Sequence, residues 1–285
     1  MLVLIGIVVV LGCVAGGFLA GGGHVAVLWQ PFEFLIIFGA MLGGMITGTP
    51  GPVLKSLLGS LPLIVKGGSA SKSTYVELLS ALFSLFKIAK SKGDIALEAH
   101  IEKPGESPIF QAYGEIAKRG VLMEFICDNL RLLTLGSHNP YELEAIMDAE
   151  IDAHRHHHGA VVGAVTTAAD GLPALGIVAA VLGVIHTMGS ITEPPEVLGH
   201  LIGAALVGTF SGVLAAYGFV APIGKALEAR LGTDEQVLEA TKAALIAHTQ
   251  GYAPQISVEF ARKTIATKLR PTFNELDEKL STIQV

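Results

Sequence analysis

Four long stretches of the chain carry no Asp, Glu, Lys or Arg: residues 1–32, 34–54, 171–192 and 197–224. With 19 basic and 25 acidic residues among 285, an even distribution would interrupt every one of them. A hydrocarbon core about 30 Å thick needs about 20 apolar residues in a helix, because backbone N–H and C=O groups find no water there and must pair within the segment. Each gap holds one such segment, so the sequence predicts four helical membrane spans. An aromatic share of 6% and 34 glycines fit helices that pack through small residues and argue against an aromatic-girdled β-barrel. The predicted fold class is all-α: a polytopic membrane protein with four transmembrane helices and a helical cytoplasmic domain. The first segment lacks a basic leader, is too long for a signal-peptide core, and is followed by a second span after Gly21-Gly22-Gly23, so it is expected to be permanent. Two cysteines, Cys13 in the first span and Cys127 in a polar region, give no disulfide framework. The net charge of −6, without a basic cluster, excludes a nucleic-acid partner.

All 19 Lys and Arg lie between Lys55 and Arg155 or between Lys225 and Lys279, and none lies in the connections at 21–31 and 190–199. The positive-inside rule therefore puts both charged regions, and both termini, in the cytoplasm. The expected organisation is a transmembrane hairpin at 1–50, a cytoplasmic helical domain at 51–169, a second hairpin at 170–223 and a cytoplasmic helical tail at 224–285. The outer face keeps only Glu193 and Glu196, flanking Pro194 and Pro195, with Glu33 near the outer end of span two.

Helix ends are legible in the charged regions. Thr74 with Glu77 reads as a capping box, Leu78, Leu82, Phe86 and Ala89 follow at helical spacing, and Gly93 stops the run. Asp94 is expected to cap a shorter helix through Glu98 and Glu102, ended by Pro104. Ser107-Pro108, Asn139-Pro140 with Glu142, Thr233 with Gln236, and Thr272 with Glu275 mark further starts.

A membrane protein that moves ions usually carries an ionisable residue inside a span. Within the four gaps the titratable groups are His24, His186, His200 and the Cys13 thiol, and the histidines lie toward the outer ends. A complete ion carrier is therefore not expected in this polypeptide alone. Spans three and four instead offer small residues: Ala174, Gly176, Ala179, Ala180 and Gly183 on one, Gly203, Ala204, Gly208, Gly212 and Ala215 on the other. Such faces serve either packing within the chain or the approach of a partner helix that brings the missing carboxylate.

Pro173 reads as a first-turn proline where span three begins, with Asp170 placed as its N-cap and able to draw cations to the inner mouth. Pro222 reads as ending or kinking span four. Thr209 is the deepest hydroxyl of the two spans and is expected to bond back to its own helix. His154, His156, His157 and His158 point in different directions on a helix, so a solvated face is favoured over a metal site. The chain lacks a Walker loop, a dinucleotide fingerprint and a supported Ser/His/Asp set, and an enzyme is not expected.

Several runs together resemble the MotA family, the A subunits of the flagellar motor stator, over nearly the whole chain. They are the opening Met1–Gly6 with Gly16-Gly17 and Gly22-Gly23; Gln30-Pro31-Phe32-Glu33; Asp170-Gly171-Leu172-Pro173 continuing through Val181; Gly208-Thr209 with Ala216-Tyr217-Gly218; and Gly251-Tyr252-Ala253-Pro254 followed by Val258–Lys263. The resemblance implies five copies around two copies of a MotB-like B subunit in the bacterial inner membrane. The B subunit's span would supply an ion-binding Asp, and its outer domain would grip peptidoglycan. It implies that Pro173 and Pro222 couple ion binding to movement, and that Lys90 and Glu98 face the rotor protein FliG, with Glu150 a lesser acidic position. Many members carry Arg where this chain has Lys90, and Lys92 lies two residues on, so both lysines stay open for the rotor contact.

No cofactor is implied beyond the translocated ion. Sodium-driven relatives place Thr where this chain has Ala180, which removes one oxygen, so protons are the expected ion. Two other readings are an ExbB- or TolQ-like energiser of outer-membrane processes, whose members usually have three spans, and a membrane scaffold without ion flow.

Overall fold

The computed structural model describes residues 2–66 and 70–283. Met1, which opens the first of the runs quoted above, lies outside them. The α-helices in chain order are α1 (Leu2–Ala20), α2 (Pro31–Gly48), α3 (Gly51–Lys66), α4 (Lys72–Lys92), α5 (Glu98–Ile101), α6 (Pro108–Ala112), α7 (Gly114–Ala117), α8 (Gly120–Thr134) and α9 (Pro140–Gly189). They continue with α10 (Pro195–Val213), α11 (Ala221–Thr249), α12 (Pro254–Thr264) and α13 (Phe273–Ser281). Short 3-10 turns join several of them, a π-helical segment, Leu214–Val220, links α10 to α11, and no strand occurs among the described residues. Four helices are long and apolar enough to cross a membrane: Leu2–Ala20, Val25–Gly48, and portions of Pro140–Gly189 and Pro195–Thr249.

The chain divides into two compact units, Met1–Gly68 with His157–Arg230, and Ser69–His156 with Leu231–Val285. The first unit holds the four apolar segments. Its small core is built around Ile37, Leu172, Ala179, Ala215 and Ala216, while α1 has no buried residue. A charge-free helix gains nothing from hiding apolar surface when lipid is its solvent, so its contacts are few and close.

The second unit folds as a water-soluble core does. Helix α4 runs through its centre with Tyr75, Leu78, Leu79, Leu82, Leu85 and Phe86 fully buried, covered by α8, α12, α13 and parts of α9 and α11. Each such side chain contributes about 1.5–3 kcal/mol relative to exposure. The start of α4 lies one turn ahead of the predicted one. Ser71 is the N-cap, its Oγ accepting from the Thr74 N–H at 3.3 Å while Thr74 Oγ1 accepts from the Ser71 N–H at 3.1 Å. Thr74 is consequently buried, and the Glu77 carboxylate accepts from the Glu115 N–H at 2.8 Å instead of closing the box. At the other end Gly93 has φ +86°, a conformation that side chains with a Cβ rarely adopt, and the helix stops there.

Residues 94–102 form a 3-10 turn, Asp94–Leu97, and the short α5 in place of one helix. Thr272 and Glu275 form the predicted box at α13, with Glu275 Oε2 accepting from the Thr272 N–H at 2.7 Å. Thr233 starts no helix: it lies inside α11. The preceding Gly232 costs about 1 kcal/mol there, outweighed by burial of Leu227, Leu231 and Leu238 on the same helix.

Candidate ion pathway and rotor-facing surface

In the first unit α9 and α10 approach through glycine. A Cβ placed on Gly176 would lie 2.9 Å from the Gly208 carbonyl oxygen and 3.3 Å from Thr209 Cα. One on Gly208 would lie 3.1 Å from both Ala179 Cβ and the Ala180 nitrogen, and one on Gly212 only 2.6 Å from the Leu172 carbonyl oxygen. Gly183 meets Ala205 in the same way, at 2.7 Å. Side chains larger than hydrogen therefore separate the helices. Packing within the chain accounts for Gly176, Ala179, Gly183, Gly208 and Gly212. Ala174 stays exposed and Gly203 faces open space.

This register brings candidates together. Ala180 sits against Gly208, and Thr209 against Gly176, both half-buried at the edge of the seam. Thr209 forms no hydrogen bond back to its helix, unlike Thr166 and Thr187, whose hydroxyls donate to the carbonyls of Val162 at 3.1 Å and Gly183 at 2.8 Å. Its hydroxyl is therefore available to a group outside the chain.

Pro173 is not in a first turn, and Asp170 caps nothing. Both lie inside the 50-residue α9, Pro173 half-buried and Asp170 exposed. The apolar packing of Val165, Ala168, Ala169 and Leu172 carries the helix past the proline, at the cost of the hydrogen bond that the Ala169 carbonyl would otherwise receive. Pro222 does not end its helix either. Without an N–H it leaves the Gly218 carbonyl without its usual partner, and Gly218 lies in the π-helical segment Leu214–Val220, after which α11 resumes. Each of the two spans thus carries an imperfect backbone ladder at its charged end. His24, His186, His200 and Cys13 are exposed. His157 shares a hydrogen bond with Ser56 at 3.0 Å, and no group of three or more potential ligands able to hold a metal occurs among the described residues.

In the second unit most basic side chains are paired. Arg131 bonds Glu102 at 2.8 Å, Lys242 bonds Asp148 at 2.6 Å and Glu239 at 2.8 Å, and Lys72 bonds Glu275 at 2.7 Å. Lys90, Lys92 and Glu98 are exceptions: exposed, close in sequence, and in no ion pair among the described residues. The two lysines complete the last turn of α4, where a cation also meets the negative end of the helix dipole. Lys90 alone of the pair lines a shallow cavity of about 120 Å³, with Asp94, Leu133, His138 and His248. Glu150 is different in kind. It is half-buried, receives the Asn129 side-chain N–H at 3.3 Å, and burial raises its pKa above the ordinary carboxylate value.

Sequence reasoning missed His248. It stacks on Phe86 with ring centroids 4.3 Å apart, and its Nδ1 is buried without a hydrogen-bond partner. Burial holds its pKa below the usual histidine value; Asp94 opposes that effect and Lys90 adds to it. Nothing local in the sequence marks the residue, because its neighbours come from α4 and the turn after it. Burial likewise pushes the Cys127 thiol up to about 11, which makes it an inert packing residue.

These features define an α-helical membrane protein whose closely packed α9–α10 seam holds no carboxylate at Ala180 and Thr209 and whose second unit displays exposed charges such as Lys90, Lys92 and Glu98. The family Motility protein A N-terminal matches residues 4–93, and the MotA/TolQ/ExbB proton channel family matches residues 117–240. Motility protein A of Escherichia coli (strain K12) is 42% identical over 284 residues, spanning 100% of this chain and 96% of that protein. The fold resembles C. jejuni MotAB, with TM-score 0.77 at 20% identity over 93% of this chain and 95% of that one. It also resembles the flagellar MotAB stator complex from Bacillus subtilis, with TM-score 0.73 at 23% identity over 99% and 98%. The chain belongs to the motility protein A family.

Proposed function

We propose that this chain is the A subunit of a flagellar motor stator, in which a ring of copies, five by family resemblance, surrounds two MotB-like B subunits in the bacterial inner membrane. The B subunit supplies the intramembrane Asp and the peptidoglycan anchor. Protons cross along the seam edge at Thr209 and Ala180, and neutralisation of that Asp shifts α9 and α10 about their proline-weakened turns at Pro173 and Pro222. The A ring then turns, and Lys90, Lys92 and Glu98 push complementary charges on the rotor protein FliG, while Asp170 draws cations to the inner mouth. Both termini are cytoplasmic, as the placement of every Lys and Arg favours. The chain performs no covalent chemistry. Each charge crossing about 100 mV releases about 2.3 kcal/mol, enough for many small repeated displacements.

The observation that carries this reading is the α9–α10 pair: locked by glycine, edged by an unbonded hydroxyl, and without a carboxylate of its own at that edge. An ExbB- or TolQ-like energiser fits less well, since four apolar segments and end-to-end similarity to a motility protein both point to the motor.

The test is a strain lacking this chain, which should build flagella that do not turn. The wild-type chain should restore rotation; Pro173→Ala should be made at normal levels yet leave rotation at least tenfold slower. Proton uptake should require co-expression with a B subunit. Uptake by the chain alone contradicts the missing-carboxylate argument, and torque that tracks external sodium at constant proton gradient contradicts proton drive.

A further inference from the structure

Asn129 is a polar side chain with apolar neighbours. It stands on α8 in the run of buried residues Phe125, Ile126, Leu130 and Leu133, and it is only 3% exposed. Its Nδ2 donates to the Phe125 carbonyl one turn back at 2.8 Å and to Glu150 Oε2 on α9 at 3.3 Å, while its Oδ1 is buried without a hydrogen-bond partner. A buried acceptor left in that state costs about 1–3 kcal/mol. An ionised Glu150 cannot relieve it, because a carboxylate only accepts. A protonated carboxyl can: its C=O keeps the Asn129 N–H and its O–H donates to Oδ1, so acid and amide close a cyclic pair with the polar atoms already there.

The surroundings favour the neutral acid. Burial raises the Glu150 carboxyl; the Asn129 bond and His154, one turn on along α9, lower it, and Asp128 and Glu124 of α8 raise it further. Arg131, the one Lys or Arg of α8, is held by Glu102 at 2.8 Å and Asp128 at 2.6 Å.

We propose that Glu150 and Asn129 form a proton switch in the second unit: as the cytoplasm acidifies, Glu150 takes one proton from solvent and clasps Asn129 through two hydrogen bonds, tying α9 to α8. The stator reading enters only in placing this unit in the cytoplasm and in giving the switch something to act on. Leu133, one turn along α8 from Asn129, lines the cavity that Lys90 also lines, so the switch grips the helix beside a charge assigned to the rotor. The sign follows from linkage. Glu150 binds its proton more readily in the folded unit than in the unfolded chain, so protection is gained as pH falls through the raised value and is absent well above it.

The experiment uses the full chain purified with its B subunit, taken from about pH 7.5 to 4.5, the ordinary carboxylate value, by which Glu150 is more than half protonated. An infrared difference spectrum should show a protonated-carboxyl band that Glu150→Gln lacks. Amide exchange in Gly120–Thr134 and in residues 143–153, corrected for the intrinsic rate, should slow about fivefold in wild type, the worth of one added hydrogen bond. Glu150→Gln, whose amide makes the same cyclic pair at any pH, should be protected at both ends of the range. Asn129→Leu should show no pH-dependent gain, and Asp152→Asn, at an exposed carboxylate of the same helix, should behave as wild type. The proposal is overturned by an infrared band that survives in Glu150→Gln, by wild-type exchange that does not slow, or by an undiminished gain in Asn129→Leu. Should Asn129→Leu fail to accumulate, the infrared band and Glu150→Gln decide alone. These outcomes are separate from the stator reading: a complex that switches as expected, from cells whose motors turn without this chain, keeps the proton switch and removes its place in the motor.

Discussion

The two units solve the same packing problem with opposite materials. In the first, α9 and α10 touch through Gly176, Gly183, Gly208 and Gly212, and large side chains such as Leu206 and Ile177 face outward. In the second, Leu78, Leu82 and Phe86 fill the centre, and charges such as Lys242 and Asp148 pair at the surface. The difference follows from solvent. Lipid is as apolar as leucine, so hiding leucine gains nothing there and close backbone approach decides which helices meet. Water rewards burial of the same side chains at about 25 cal/mol per Å². Glycine is thus the specific residue of one unit and leucine of the other.

That contrast breaks first at the seam. Gly212→Leu forces a branched side chain to where even a methyl carbon lies 2.6 Å from the Leu172 carbonyl. Rotation should be lost outright, with the A–B complex missing from detergent extracts, whereas Gly203→Leu, facing open space, should assemble normally. Leu82→Ala tests the other material. It should destabilise the second unit by about 2–5 kcal/mol in urea titration of the purified complex, and a smaller loss would mean that this core is looser than its burial indicates.

A smaller effect comes from His248, which lies beyond the charge-free segments. Its folded pKa is depressed, so below the usual value of 6.5 the folded unit binds fewer protons than the unfolded chain. The stability it contributes is complete above about pH 6.5 and is lost as pH falls through the depressed value, by at most about 1.4 kcal/mol per pH unit. Thermal midpoints between pH 7.5 and 5.5 should fall less in His248→Phe than in wild type, and parallel curves would remove His248 as the cause. Smallest is the cap of α13. Thr272→Ala should cost about 1 kcal/mol, seen as faster amide exchange in Phe273–Ser281 and little change elsewhere.

Much of this was legible without coordinates. The four spans follow from charge-free length alone, and the Thr272–Glu275 box and Gly93 stop follow from local hydrogen bonding and φ, which depend on near neighbours. The misses share one cause. Pro173, Asp170 and Thr233 read as helix boundaries, yet each lies in a continuous helical run, because burial on neighbouring helices outweighs one lost hydrogen bond or one glycine. Pro222, read as ending or kinking its helix, does not end it but lies just after the π-helical segment Leu214–Val220. Thr74 lost its cap role to Ser71 for a similar reason: it is covered by the core it was expected to border.

What the sequence determined by itself is the solvent of each segment, since a run without charge and a run rich in paired charge cannot exchange places between lipid and water. Only the tertiary structure decided which small residues meet, that Thr209 is left unbonded beside Gly176, and that Lys90, Lys92 and Glu98 are exposed and in no ion pair among the described residues. Those outcomes depend on register and on partners far away in the chain, and a hydrogen bond or a contact of about 3 Å is settled by tenths of an ångström that no pattern of residue types encodes.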